Sequence, residues 1–507
     1  MRIWHYRTWF CTISANTEVR YSVFTSGQTK ERNVDGQEIL PDHSNSKPDE
    51  LPPPEATSPG LLIKLLAGLA LFLVLGGLVL AAGVYFAFST IRAGVESTSL
   101  ALPFISNEPL SNQIAFVGND FNLWLVGPEG TDLRRLTTDG KGYRFPTWSP
   151  DGRQLAFIGR DPKNNSVLYV SPTSQGNPTV VYSRPNSPPF YLYWAPNSHA
   201  ITFLTQEPSG LAMRLVDTQN PNSNRILEEG APFYWVWSPQ SDKMLLHVGG
   251  SRAVSEQAHI SILDNRQDAH RVELNLSPGR FQAPVWSPDG KYFYYIATDE
   301  AGRDAIFQTD AATLEQVKLA NPGNFAHMVL SPDGQKMAYL QVGSGANPPF
   351  GQAYLIDVNN PNPKKLMERP VASIYWSPDG KKLALLSLSR PQDGSTAAID
   401  GGPGKAAGLA SPLRQEINLR WWLYNVETGE LSPLVTFAPT NNFLQTIPYF
   451  DQYHLSLTFW SPDSRYFVVT KRKKDSGILG TVWVIDTTGQ EAPRKVGDGS
   501  LAVWSWQ

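Results

Sequence analysis

Val285-Trp286-Ser287-Pro288-Asp289-Gly290, followed by Lys291-Tyr292-Phe293-Tyr294-Tyr295-Ile296, reads as a strand, a tight turn and a second strand. Ser, Pro, Asp and Gly suit the successive positions of a type I turn. Pro presets φ at the second, Asp tolerates the third and Gly closes the fourth. The flanking residues are β-branched and aromatic, as strands prefer.

The same phrase returns as Trp148-Ser149-Pro150-Asp151-Gly152 and Trp376-Ser377-Pro378-Asp379-Gly380. Looser copies are Trp194-Ala195-Pro196-Asn197-Ser198, Trp237-Ser238-Pro239-Gln240-Ser241, Leu330-Ser331-Pro332-Asp333-Gly334 and Trp460-Ser461-Pro462-Asp463-Ser464, and the sequence closes on Trp504-Ser505-Trp506. Multi-strand repeats with a period of roughly 40–50 residues predict an all-β fold, a β-propeller. A unit over Gln113–Val117, Asn122–Val126 and Leu133–Thr137 lacks a phrase of its own. Its missing strand is expected at Leu501–Trp504, so that the two ends of the ring pair and leave no open sheet edge. That arrangement gives eight four-stranded blades, with seven as the competing count if one weak unit does not form. The long interval from Trp376 to Trp460 is read as one enlarged blade, with Gly-, Ala- and Ser-rich filler from Gln392 to Ala410.

The Trp-Ser-Pro-Asp-Gly phrases at 148, 286 and 376 resemble the repeats of the TolB propeller, also called WD40-like or PD40 repeats, over roughly residues 112–507. The resemblance implies the fold and an interaction role in a cell envelope. The chain departs from that family in carrying an apolar run and a tail in place of a separate α/β domain, and its ring is larger than the family's six blades. Fold analogy does not supply function.

Composition excludes several classes. The formal net charge is −3, which gives no footprint for nucleic acid. The one cysteine, Cys11, rules out an intramolecular disulfide and a cysteine-based metal site. His199, His247, His259, His270, His327 and His454 fall in different units, with no His-Glu-x-x-His pattern. No Gly-x-Ser-x-Gly elbow and no EF-hand loop occurs. No catalytic residue, cofactor or metal is therefore expected, and the chain is not expected to be an enzyme.

Residues 1–60 read as a disordered tail, polar and then Pro-rich. Leu65 to Ile91 holds no charged residue and, at 1.5 Å per residue, spans about 40 Å as a helix, enough to cross a bilayer. We expect a single transmembrane helix within 61–92, a stalk over 93–111 and the propeller over 112–507. The N-terminus is expected inside and the propeller outside the cytoplasm.

In a four-stranded blade the first-to-second turns share one face, and the second-to-third loops and interblade links share the other. The long elements, Arg390–Glu416 and Ala438–His454, thus belong to the second face. Aromatic and arginine side chains are common interface anchors. On that face Tyr143, Arg144, Phe190, Tyr191, Phe233, Tyr234, Arg280, Phe281, Phe443, Tyr449, Phe450 and Tyr453 are the candidate partner-binding rim. The expected function is a membrane-anchored interaction module for an extracytoplasmic protein, peptide or glycan. Competing readings are a hydrolase or lyase with its site at the ring centre, and a transmembrane signalling protein.

Overall fold

A computed structural model describes residues 111–507 apart from 175, 253–254, 267–269, 281, 324, 344–349, 391–392, 394–416 and 475. The expected tail, the apolar run at 65–91 and nearly all of the stalk lie outside the described residues. So does most of the insertion after Arg390. Among the described residues no helix is long and apolar enough to cross a membrane.

Eight antiparallel sheets form the ring. Counting from Trp148, blade 1 holds strands Arg144–Trp148, Gln154–Arg160, Ser166–Pro172 and Thr179–Ser183. Blades 2 to 6 repeat this order from the inner strands ending at Trp194, Trp237, Trp286, Leu330 and Trp376. Blade 7 is a sheet of three strands, and its inner position is held by Trp460, bridged to Phe467. Blade 8 is shared: Gly499–Trp504 pairs antiparallel with Ile114–Gly118, with Ile114 opposite Trp504. The expected closure and the count of eight are both present.

The turn phrase does two jobs. Within a blade, the Ser149 carbonyl accepts from Gly152 N–H at 2.9 Å, and the Ser149 hydroxyl accepts from Gln154 N–H at 2.9 Å. That hydroxyl also donates to Asp151 at 2.6 Å, and the pattern repeats at Ser287–Asp289 and Ser377–Asp379. Between blades, the indole N–H of Trp194 donates to Thr147 O, and that of Trp376 to Val329 O, each at 3.0–3.1 Å. Both acceptors lie on the preceding inner strand. Each indole thereby satisfies its one polar group, Trp194 as a buried ring and Trp376 as a half-buried one.

Where the fifth turn residue is Ser instead of Gly, it gains a further role. Ser198, Ser241 and Ser464 all sit at φ of 61–63°, a left-handed geometry that costs a side chain energy. Each hydroxyl accepts a backbone N–H from the previous blade's turn at 3.0 Å, at Asp151, Asn197 and Asp379 respectively.

Blade 8 has no continuous turn of this kind. Even so, Ser505 N–H donates to Gln113 O at 2.8 Å and Gln113 N–H to Ser505 Oγ at 3.0 Å. These are the contacts that Ser149 makes with Gln154. The ends of the ring rebuild the repeat's hairpin corner from two distant pieces of chain.

Candidate functional site

The two ends of the ring's central axis are built differently. On the link face the axis is filled by the chain itself. The connection between blades 6 and 7 turns inward after Phe437 and carries short helices at Asn441–Leu444 and Phe450–Tyr453. Thr440 caps the first, accepting from Phe443 N–H at 3.3 Å. Phe443, Ile447, Phe450 and Leu457 are buried, which is why a link with this many apolar residues leaves the surface.

This plug meets every blade. Thr440 Oγ1 donates to Ser500 O of blade 8. Tyr453 packs on Phe145 of blade 1 and on Tyr191 of blade 2, with ring centroids 5.8 and 4.9 Å apart. Gln452 pairs with the backbone of Trp235 in blade 3, accepting its N–H at 2.9 Å and donating to its carbonyl at 3.0 Å. Asp451 accepts from Ala283 N–H, just before blade 4, at 2.9 Å, and its carboxylate lies 2.9 Å from Nδ1 of His327 in blade 5. Phe450 faces Tyr375 of blade 6, and Phe443 faces Phe459, which leads into blade 7. Asp451 is fully buried. Its Oδ2 is met by the Ala283 N–H and by the His327 ring, as a buried polar group requires.

On the opposite face, where the Trp-Ser-Pro turns lie, the axis opens into a cavity of about 530 Å³. Its wall is made by repeat positions: Trp148, Trp194, Trp376, Trp460 and Trp506, with Pro150, Pro196, Pro332, Pro378 and Pro462. The end of the plug, His454, Leu455 and Leu457, also lines it. No Lys, Arg, Asp or Glu is among the lining residues. Burial pushes Tyr193 and Tyr375 upward and His454 downward from their ordinary pKa values. The funnel is therefore uncharged at neutral pH, and its polar groups are few.

The candidate rim residues separate into two sets. Tyr143, Tyr191, Phe233, Tyr234, Phe443 and Phe450 are buried, and Tyr453 is half-buried. Tyr143 stands edge-on to Phe157 and donates to Asp139 at 2.9 Å. Arg144, Phe190, Arg280 and Tyr449 are exposed, and Phe281 lies outside the described residues. At the root of the long insertion, Asp393 takes a two-pronged contact from Arg369 at 2.8 Å, which draws its carboxyl down to about 2. Arg369 lies over the Trp422 ring at 4.7 Å.

The buried histidines form no metal centre: among the described residues no group of three or more His, Cys, Asp or Glu could hold an ion. Sequence reasoning missed the funnel and the pairings of Asp451 and Gln452. The funnel had a signal in the sequence. A first strand is innermost, so the Trp and Pro that end it must converge on the axis. The plug's signal was weaker: a link of about twenty residues, rich in buried-type side chains.

No protein-family model matches the chain. The Tol-Pal system protein TolB of Alcanivorax borkumensis is 30% identical over 129 residues, which is 25% of this chain and 28% of that protein. The match thus spans under a third of that relative's length. An uncharacterized protein of Agrobacterium fabrum is 23% identical over 268 residues, 48% of this chain and 83% of that protein. The crystal structure of TolB from Acinetobacter baumannii covers 76% of this chain, with 17% identity and a TM-score of 0.37. With the repeated turn phrase, the eight closed blades and the sequence match to TolB, the chain is a TolB-like β-propeller.

Proposed function

We propose that the protein is an interaction module whose binding seat is the uncharged funnel on the Trp-Ser-Pro face, and that the ring is held at a membrane by residues 65–91, outside the cytoplasm. One observation carries the reading. The axis is closed from the link face by the plug and open from the turn face, where an apolar cavity of about 530 Å³ presents tryptophan and proline. Cavities of this size and character bury apolar groups of a ligand and use a few polar atoms to orient them. The occupant in this reading is an uncharged segment of a partner protein.

The enzyme reading has one observation in its favour, the His327–Asp451 pair at 2.9 Å. Both side chains are buried, and neither is among the residues lining the funnel. A catalytic base must come within hydrogen-bond reach of its substrate, so this pair serves better as a fastening for the plug.

The test is capture of partners from intact membranes by the full chain, by a Trp506→Asp variant and by a Tyr449→Asp variant. Trp506 lines the funnel and is 40% exposed, whereas Tyr449 is 49% exposed on the plug. Loss with Trp506→Asp alone supports the funnel. Loss with Tyr449→Asp alone returns the seat to the link face, and robust turnover of a small substrate abolished by Asp451→Asn would favour the enzyme.

A further inference from the structure

The mouth of the funnel is also where the chain enters the ring. Asn112 N–H donates to the Gln507 carbonyl, and Gln113 N–H donates to Ser505 Oγ at 3.0 Å. Ser505 and Trp506 line the funnel. Whatever sequence immediately precedes Asn112 is therefore tethered at the rim of an uncharged apolar cavity.

That sequence has matching chemistry. From Ser97 to Asn107 there is no charged residue, and within it stands Leu102-Pro103-Phe104-Ile105. An extended chain covers about 3.5 Å per residue, so the seven steps from Ile105 to Asn112 reach about 25 Å. That is ample to fold back over a cavity whose rim is the attachment point. Tethering by so short a connection gives an effective concentration in the millimolar range, so even a contact that would be weak between separate molecules is mostly formed.

We propose that Leu102–Ile105 is a built-in occupant of the funnel, seated in cis and displaced when a partner binds. Phe104 is the anchor, because an aromatic ring supplies the most apolar area of the four against tryptophan and proline walls. The proposal rests on the reading of the funnel as the binding seat for its regulatory meaning, but not for the contact itself. The occupant's uncharged character answers the lining, in which no Lys, Arg, Asp or Glu occurs. A charged segment would lose its hydration there with nothing to replace it.

The experiment uses the full chain in its membrane, with the photoreactive residue p-benzoylphenylalanine in place of Phe104. Irradiation followed by peptide mapping should join position 104 to the segments that contain Trp148, Leu455 or Trp506. Mixing heavy- and light-isotope copies should leave the adducts within one chain. Adducts scattered over other surfaces, or mixed-isotope adducts, overturn the proposal. Partner capture supplies the second readout: Phe104→Asp should raise it about tenfold at limiting partner by emptying the seat. Funnel adducts with unchanged capture by Phe104→Asp would uphold the cis contact and overturn the funnel as the partner's seat. Raised capture without funnel adducts would overturn the cis contact.

Discussion

The two ends of the axis use the same eight inner strands for opposite purposes. At the link face those strands offer mid-strand groups, Tyr191, the Trp235 backbone and His327, to an inserted peptide that satisfies them. At the turn face they offer chiefly tryptophan and proline, with Tyr193, Leu330 and Tyr375 beside them, and the indole N–H groups of Trp194 and Trp376 are already spent on the preceding blade. One end is a finished core. The other keeps apolar surface without a partner from the described residues. The difference teaches that in a propeller an irregular link can decide which end of the axis is left to bind.

The comparison breaks most visibly at the plug. Phe450→Ala, at a side chain 1% exposed, should cost about 3–5 kcal/mol. Urea unfolding would check this, and a loss under 1 kcal/mol would mean that the plug is not part of the core. Gln452→Ala leaves both backbone groups of Trp235 without their partner and should cost about 2–3 kcal/mol. Gln452→Glu should be hardly better, because the carbonyl of Trp235 still lacks a donor.

Acid should act next. Burial holds His454 and His247 below the ordinary value of 6.5. The folded protein keeps them neutral, while the unfolded chain takes up protons near 6.5. Their contribution is complete above about pH 6.5 and shrinks as pH falls, by up to about 1.4 kcal/mol per unit for each histidine until its folded pKa is reached. Urea midpoints at pH 7.5 and 5.5 measure this, and His454→Gln should flatten the slope. A midpoint that rises on acidification would contradict the assignment.

Smaller still is the seam between blades. Ser464→Ala removes the bond to Asp379 N–H and retains a side chain at φ 61°, so a loss of about 1 kcal/mol is expected. Ser464→Gly should lose less, because glycine accepts that backbone angle freely. Smallest in stability is the funnel: Trp506→Asp should change the unfolding free energy by about 0.5 kcal/mol or less, as exposed positions do, yet abolish capture. A large destabilisation there would make Trp506 a core residue and not a wall of the seat.

Much of the architecture was legible in the residues. Ser-Pro-Asp-Gly specifies its turn through contacts within five residues, such as Ser149 with Gln154. Repeated copies therefore announce blades, and a unit lacking its own phrase announces closure by Leu501–Trp504. The candidate rim was less legible. Tyr143, Tyr191 and Phe233 stand where strands begin, and aromatic residues there serve a core and a surface equally well; only neighbours decide. Tyr191 is claimed by Gln452 and Tyr453, which lie far along the chain.

The sequence alone determined the turns of the ring, because those rest on local hydrogen bonds repeated along the chain, and it pointed to eight blades with joined ends through the one unit that lacks its own phrase. Tertiary structure decided which end of the axis is closed. Asp451 and Gln452 meet Ala283 and Trp235 across 168 and 217 residues, and no periodicity in a chain encodes a pairing that happens once. A single peptide crossing the axis is fixed by the summed shape and polarity of eight blades, which exist only after the ring has formed.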